Sequence, residues 1–206
     1  MEFICNWYLV ALFYLFMSTF LTQGIILKKE DYRDYDCKFI IYTLSRGKII
    51  VLAKGSKKIT SKLNPHLDFF STLTLMVANS SALKRLAGVQ LLKKYKRINQ
   101  YFSKNISALY FLEVVNLLVK YDFKDDEVYK IIVSFFSALE DGQNSQVDLL
   151  SLNKHLFELL SHLGYRPKIK VSRQKQLAIE FHRLVTEISE KEVKSFNLLA
   201  KNLLFS

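Results

Sequence analysis

Between residues 19 and 89 the apolar positions fall in short β-branched or aromatic runs broken by turn chemistry, a strand pattern rather than a helical one. Runs over 20–27, 39–44, 49–53 and 67–77, with a weaker one over 82–89, predict five strands. Ser45-Arg46-Gly47-Lys48 joins the second and third, and Gly47 suits the positive-φ position of a hairpin turn. Gly24 lies inside the first run, where a small barrel has to bend. About five short strands in a meander predict a barrel of the OB or SH3-like kind.

Beyond Tyr101 the period changes to three and four residues. The segment 107–119 aligns Leu109, Leu112, Val115 and Leu118 on one helical face. A second helix over 125–139 opens on Asp125, Asp126 and Glu127, as the helix dipole favours. A third, 149–163, stops at Gly164 with Pro167 beyond it. Two more over 173–187 and 190–204 complete an all-helical half, and 141–145 is the clearest loop. The chain is thus an α+β protein of two parts: a β-barrel domain over 17–90 and an all-α helical domain over 91–206.

Residues 3–21 are almost wholly apolar, with Glu2 the only charge before Lys28, so the stretch is long enough to span a bilayer. It makes a poor secretory signal: Glu2 stands in the n-region, and no small-residue cleavage site follows. Two readings compete. One is a signal anchor that holds Lys28, Lys29 and Arg33 on the cytoplasmic side. The other, preferred because of a resemblance given below, takes Met17 as the true start and residues 1–16 as a non-native extension read from AT-rich upstream DNA.

Composition narrows the function. Half the residues are hydrophobic, with sixteen Phe and eleven Tyr, ample for a packed core. Six Gly and two Pro leave few places for glycine-rich phosphate loops. Two cysteines, Cys5 and Cys37, are too few for a disulfide framework or a four-cysteine zinc site, and suggest a reducing, cytoplasmic compartment. The net charge of +11 is unevenly placed. Residues 17–101 hold sixteen Lys or Arg against five Asp or Glu, whereas the remainder holds fourteen of each. One region therefore carries the whole excess, which points to a polyanionic partner or to a solvated basic surface.

Catalytic motifs are missing. The position five residues before Gly47-Lys48 is Tyr42 rather than Gly, so no P-loop forms, and there is no G-x-S-x-G. His155 and His162 lie two helical turns apart without an acidic third ligand and are read as ordinary helix residues. Asp122, Asp125, Asp126 and Glu127 lack the spacing of a calcium loop. No enzyme, metal or cofactor is expected.

What remains is Lys54-Gly55-Ser56-Lys57-Lys58-Ile59-Thr60-Ser61-Lys62, a basic loop between two strands. Lysine ammoniums and the hydroxyls of Ser56, Thr60 and Ser61 can donate to phosphate oxygens, and none is placed to read a base, so binding should be indifferent to sequence. Lys28, Lys29, Arg33, Arg46 and Lys48 extend the track on strand ends and neighbouring turns. Tyr32, Tyr35 and Tyr42 are candidates for base stacking, with core packing or plain exposure the alternative for each. Lys93, Lys94, Lys96 and Arg97 form a second cluster that reads equally well as a solvated helix face.

The order of these features resembles the bacterial recombination mediator family RecO. Thr22-Gln23-Gly24-Ile25-Ile26-Leu27-Lys28, followed by Asp31-Tyr32-Arg33-Asp34-Tyr35-Asp36, is similar to that family's opening strand and acidic-aromatic turn. Thr43-Leu44-Ser45-Arg46-Gly47-Lys48 and Ala53-Lys54-Gly55-Ser56-Lys57-Lys58, with Ser61-Lys62-Leu63 and Leu67, resemble its next hairpin and basic loop. In the helical half the likeness rests on Tyr110-Phe111-Leu112-Glu113, Phe157-Glu158-Leu159-Leu160, Leu163-Gly164-Tyr165 with Pro167, and Lys194-Ser195-Phe196. The family begins a few residues before the first of these glycines, which favours Met17 as the start. Many members carry a four-cysteine zinc module after the Leu-Gly-Tyr landmark; residues 165–206 contain no cysteine, so zinc is not expected.

The resemblance implies a five-stranded OB-type barrel followed by a helical domain. It also implies a non-enzymatic mediator that binds single- and double-stranded DNA, anneals strands, and works with RecR to load RecA onto DNA coated by single-stranded-DNA-binding protein (SSB). Lys54, Lys57, Lys58 and Lys62, supported by Lys28, Lys29, Arg33, Arg46 and Lys48, would neutralise phosphates in the cytoplasm at the nucleoid. A pocket for the acidic C-terminal tail of SSB is implied in the helical half, with Lys120, Lys124 and Lys130 as weak candidates for its rim. The rival readings are a membrane-anchored basic barrel and an RNA-binding OB or SH3-like module.

Overall fold

In the computed structural model, which describes residues 19–58, 67–80, 83–165, 167 and 173–204, the first strand serves two neighbours in turn. Strand β1 (Thr19–Asp31) pairs with β4 (Ser71–Ala78) from Thr19 to Gly24 and with β2 (Cys37–Thr43) from Gly24 to Asp31. Gly24 is the shared corner. A Cβ there would lie 2.6 Å from Leu75 Cδ1 and 2.8 Å from Ile41 Cγ2, so the bend anticipated at this position requires glycine's missing side chain. With β3 (Gly47–Ala53) and β5 (Lys84–Lys94) the order is β1-β2-β3-β5-β4, closed by the β1–β4 pairing. Every pair is antiparallel except β3–β5. This is the closed five-stranded Greek-key barrel of the OB class.

Strand alternation sends Phe39 and Ile41 of β2, and Ile49 and Val51 of β3, into the barrel. The opposite face is also buried: Ile25, Leu27, Ile40 and Tyr42 join a second core built with the helices. Leu27 reaches it from a bulge between Ile26 and Lys28, which turns an extra side chain outward. An antiparallel pair hydrophobic on both faces needs a cover, and the helical half supplies it.

That half contains, among the described residues, α1 (Lys96–Gln100), α2 (Phe102–Leu118), α3 (Asp126–Asp141), α4 (Ser145–His162), α5 (Gln174–Ser189) and α6 (Phe196–Leu199), the last running into a π-type turn over Ala200–Leu204. Asp125 caps α3 by accepting from the N–H groups of Glu127 and Val128 at 3.0 and 3.3 Å. Helix α4 ends in a Schellman turn: Gly164 has φ +90°, its N–H donates to Ser161 O, and that of Tyr165 donates to Leu160 O.

Three expectations are corrected. The fifth strand runs on to Lys94, because an outward-facing polar edge hides its end from a hydrophobic pattern. The fourth begins at Ser71 rather than 67, after Phe70 turns into the left-handed region at φ 57°. The helix predicted over 190–204 does not form as one unit. Glu190 is left-handed at φ 53°, and the Glu113 carboxylate accepts from Lys194 N, Ser195 N and Ser195 Oγ at 3.0, 2.9 and 2.5 Å, holding that backbone outside a helix.

Candidate nucleic-acid interface

The turn after β3 is built around Gly55, at φ +63°. The Lys58 N–H donates to Gly55 O at 3.1 Å, so Lys54–Lys58 folds back on itself. This turn is tied to the β1–β2 loop. Asp36 Oδ1 accepts from the Gly55 N–H at 2.8 Å, Tyr35 O accepts from the Lys57 N–H at 3.0 Å, and Lys57 Nζ pairs with Asp31 Oδ1 at 2.8 Å. The hydrogen bond to Asp31 raises the Lys57 pKa, and the same bond holds the Asp31 carboxyl below its ordinary value. The acidic-aromatic turn and the basic turn, about twenty residues apart in sequence, thus form one surface.

On that surface cations lie over exposed tyrosine rings. Lys58 Nζ is 5.4 Å from the centroid of Tyr35, while the Arg33 guanidinium and Lys38 Nζ are 5.2 and 4.4 Å from that of Tyr32. Lys54 is exposed. Lys38 escaped the sequence reading; its signal was strand alternation, which sends it outward between buried Cys37 and Phe39. Lys62, Thr60 and Ser61 lie outside the described residues.

The other predicted cations go elsewhere. Arg46, at the β2–β3 turn, covers the Phe20 ring at 4.5 Å. Lys28 pairs with Glu30 at 2.7 Å, and Lys28 and Lys29 border a cleft between barrel and helices. Lys48 is a correction: it is buried, its Nζ donates to Asn116 O at 2.7 Å, and it lies 4.1 Å over Tyr121, so it cannot join a phosphate track. Burial, with a contribution from Lys191, lowers its pKa to about 8. Tyr42 is a second correction. It is buried with its hydroxyl donating to Asp125 O at 2.8 Å, and burial pushes its pKa up, which leaves no ring face for a base.

In OB folds the β2–β3 face and adjoining loops are the usual oligonucleotide surface. Here Ile40 and Tyr42 on that face lie in the helical core, whereas Lys54, Lys57 and Lys58 in the turn after β3 are exposed.

The cleft between barrel and helices has a volume of about 670 Å³. It is lined by Leu27, Phe69, Leu109, Leu117 and Leu198 together with Lys28, Lys29, Lys191 and Lys194 and the carboxylates of Glu113 and Glu192. Lys120, Lys124 and Lys130 do not line it. Lys120 is exposed, Lys124 pairs with Asp126 at 3.3 Å, and Lys130 pairs with Glu127 at 3.0 Å.

His155 and His162 each make local structural contacts. The His155 Nδ1–H donates to Ser151 O at 2.7 Å, which leaves Nε2 to accept from Ser134 Oγ at 3.1 Å, and burial lowers its pKa. His162 Nε2 meets Asp125 Oδ2 at 2.7 Å. Among the described residues no group of His, Cys, Asp or Glu could hold a metal ion, and no helix is long and apolar enough to cross a membrane.

A closed OB-type barrel with a basic, tyrosine-bearing loop surface, buttressed by helices, defines the class. Residues 17–95 match the family described as the recombination protein O N-terminal domain, which bears out the resemblance to RecO. The chain is 29% identical over 146 residues to the DNA repair protein RecO of Geobacter sulfurreducens, covering 70% of this chain and 58% of that one. With RecO of a Roseiflexus species it shares 28% identity over 148 residues, covering 72% and 51%, and with that of a Synechococcus species 27% over 161 residues, covering 74% and 56%. The matches span just over half the length of these curated relatives.

Proposed function

We propose that this protein is a non-enzymatic mediator of DNA repair and recombination that binds single- and double-stranded DNA without sequence preference. The observation that carries the reading is the joining of the β1–β2 and β3–β4 loops into one surface where Lys54, Lys57, Lys58, Arg33 and Lys38 accompany exposed Tyr32 and Tyr35. Ammoniums and a guanidinium suit phosphates, and aromatic faces suit bases of any identity. Lys62 belongs to the same loop in sequence. In this reading the barrel over 17–90 holds DNA, the helical part over 91–206 makes protein contacts, and the pair anneals strands in the cytoplasm. With RecR it helps RecA load onto SSB-coated single strands. The cleft lined by Lys28, Lys29, Lys191 and Lys194 fits the acidic SSB tail better than Lys120, Lys124 or Lys130, because it joins four lysines to apolar side chains, and these lysines outnumber its two carboxylates, Glu192 and Glu113, the latter already bonded to Lys194 N and Ser195.

The test is fluorescence anisotropy of a labelled single-stranded DNA across a salt series, for residues 17–206 and for the variant Lys54→Ala, Lys57→Ala, Lys58→Ala, Lys62→Ala. For every phosphate that the variant no longer neutralises, the log–log salt slope should fall by about 0.7. A folded protein that binds no DNA at low salt, or binds only RNA of equal length, overturns the reading.

A further inference from the structure

Where β5 leaves the barrel and α1 and α2 begin, residues 91–102 are exposed except for Tyr95 and Ile98, which are buried, and Arg97, which is half-buried. The stretch contains four cations and no acid. Two of the cations are committed. Lys94 pairs with Asp68 at 2.6 Å, while the Arg97 guanidinium donates to Glu140 O at 2.9 Å. Lys96 makes no ion pair among the described residues, and Lys93 has only the Tyr95 ring, 4.6 Å away. In the same stretch Leu91, Leu92, Tyr101 and Phe102 are 39%, 54%, 51% and 63% exposed, and the Arg97 guanidinium lies 5.5 Å from the centroid of the Tyr101 ring. Four large exposed apolar side chains within twelve residues, interspersed with lysines, are more than solvation requires. Lys94 and Lys96 also border, with Asp68, Asn99 and Gln100, an open cleft of about 460 Å³ whose amides can meet phosphate oxygens or base edges.

We propose that the exposed β5–α1 segment bordering this cleft is a second contact site for single-stranded nucleic acid, in which Lys96 in the cleft and Lys93 at the strand end outside it meet phosphates while Tyr101 and Phe102, also outside the cleft, stack on bases. The inference rests on the reading of the barrel loops as the first such site. The two are separate. Strand register sets Arg85 beside Leu52, next to the basic turn, and Lys93 lies eight residues further along β5. At ~3.3 Å per residue that is on the order of 25 Å along the strand. Flat rings among unpaired ammoniums favour a nucleic acid over an acidic peptide, whose carboxylates need no stacking surface. A chain with two such sites holds two strand segments at once.

The experiment titrates the 206-residue chain with a labelled oligodeoxythymidine of about six nucleotides, short enough for one site, and reads stoichiometry by native mass spectrometry at low salt. Two oligomers per chain are expected. The variant Lys93→Ala, Lys96→Ala, Tyr101→Ala, Phe102→Ala should bind one, and so should Lys54→Ala, Lys57→Ala, Lys58→Ala; the combined variant should bind none. Charge reversal with Lys93→Glu and Lys96→Glu alone, which leaves the aromatic residues in place, should also remove one oligomer without changing the circular dichroism spectrum. One oligomer on the unmodified chain, or two on the β5–α1 variant, overturns the second site and leaves the first standing. Displacement of the second oligomer by poly-glutamate but not by excess unlabelled DNA overturns it in favour of an acidic protein partner. No binding at all overturns the function proposed above together with this site.

Discussion

Lysines that look alike in sequence have three different fates here. Lys54 is open to solvent, Lys48 is a domain-junction strut, and Lys104 sits in the helical core with its Nζ bonded to Leu139 O, Gly142 O and Asp148 Oδ1 at 2.6, 3.0 and 2.7 Å. The side chains of Lys104 and Asp148 are 3% and 1% exposed. Removing one partner of such a pair leaves a charge buried without its counter-ion, which costs about 3–5 kcal/mol, whereas removing both costs less. Asp148→Ala is therefore expected to lower the unfolding free energy in urea by about that amount. Lys104→Met with Asp148→Leu should recover part of the deficit but not all, because two backbone carbonyls are left without their donor. An Asp148→Ala midpoint equal to that of the unmodified chain would refute the assignment. None of this is legible in the sequence, since Lys104 and Asp148 lie 44 residues apart and only the packing of α2 against α4 joins them. The same holds for Lys48 and Tyr42, whose partners Asn116, Tyr121 and Asp125 come from the end of α2 and the loop after it.

Elements were more legible than residues wherever the pattern is local. The turn glycine at 47, the acidic first turn of α3 and the glycine stop after α4 each act within a few residues, and each appears where the sequence places it. Legibility fails where a distant group decides. The 190–204 segment has helical spacing, but Glu113 accepts three hydrogen bonds from Lys194 and Ser195, and no residue within that segment announces this. Phe196 adds a ring stacked on His182 at 3.4 Å, which ties the same segment to α5. Leaving those donors without their acceptor should cost about 1–3 kcal/mol, damped by their partial exposure. Glu113→Ala is accordingly expected to leave the barrel intact while loosening residues 191–195, so that trypsin cleaves faster after Lys191 or Lys194. Cleavage at an unchanged rate would show that the Phe196 stack alone holds the segment.

At the scale of the whole molecule, the helices decide which barrel surface can bind anything. Ile25, Leu27, Ile40 and Tyr42 are buried against them, and full burial of a large apolar side chain is worth about 1.5–3 kcal/mol. Four such side chains amount to on the order of 6–12 kcal/mol, comparable with the entire stability of a domain of this size. The barrel should therefore be unable to stand as the same structure without its cover, even though residues 17–95 match a family domain by themselves. Isolated residues 17–95 are expected to bind a hydrophobic dye such as anilinonaphthalene sulfonate and to unfold without a sharp transition, while residues 17–206 bind none and unfold in one step. A monomeric, dye-silent fragment with the unfolding midpoint of residues 17–206 would show that the β2–β3 face tolerates water, and would reopen that face as a route for DNA. The expected result keeps it closed, so that the two sites proposed above, at the barrel's end and at the far end of β5, do not compete with it.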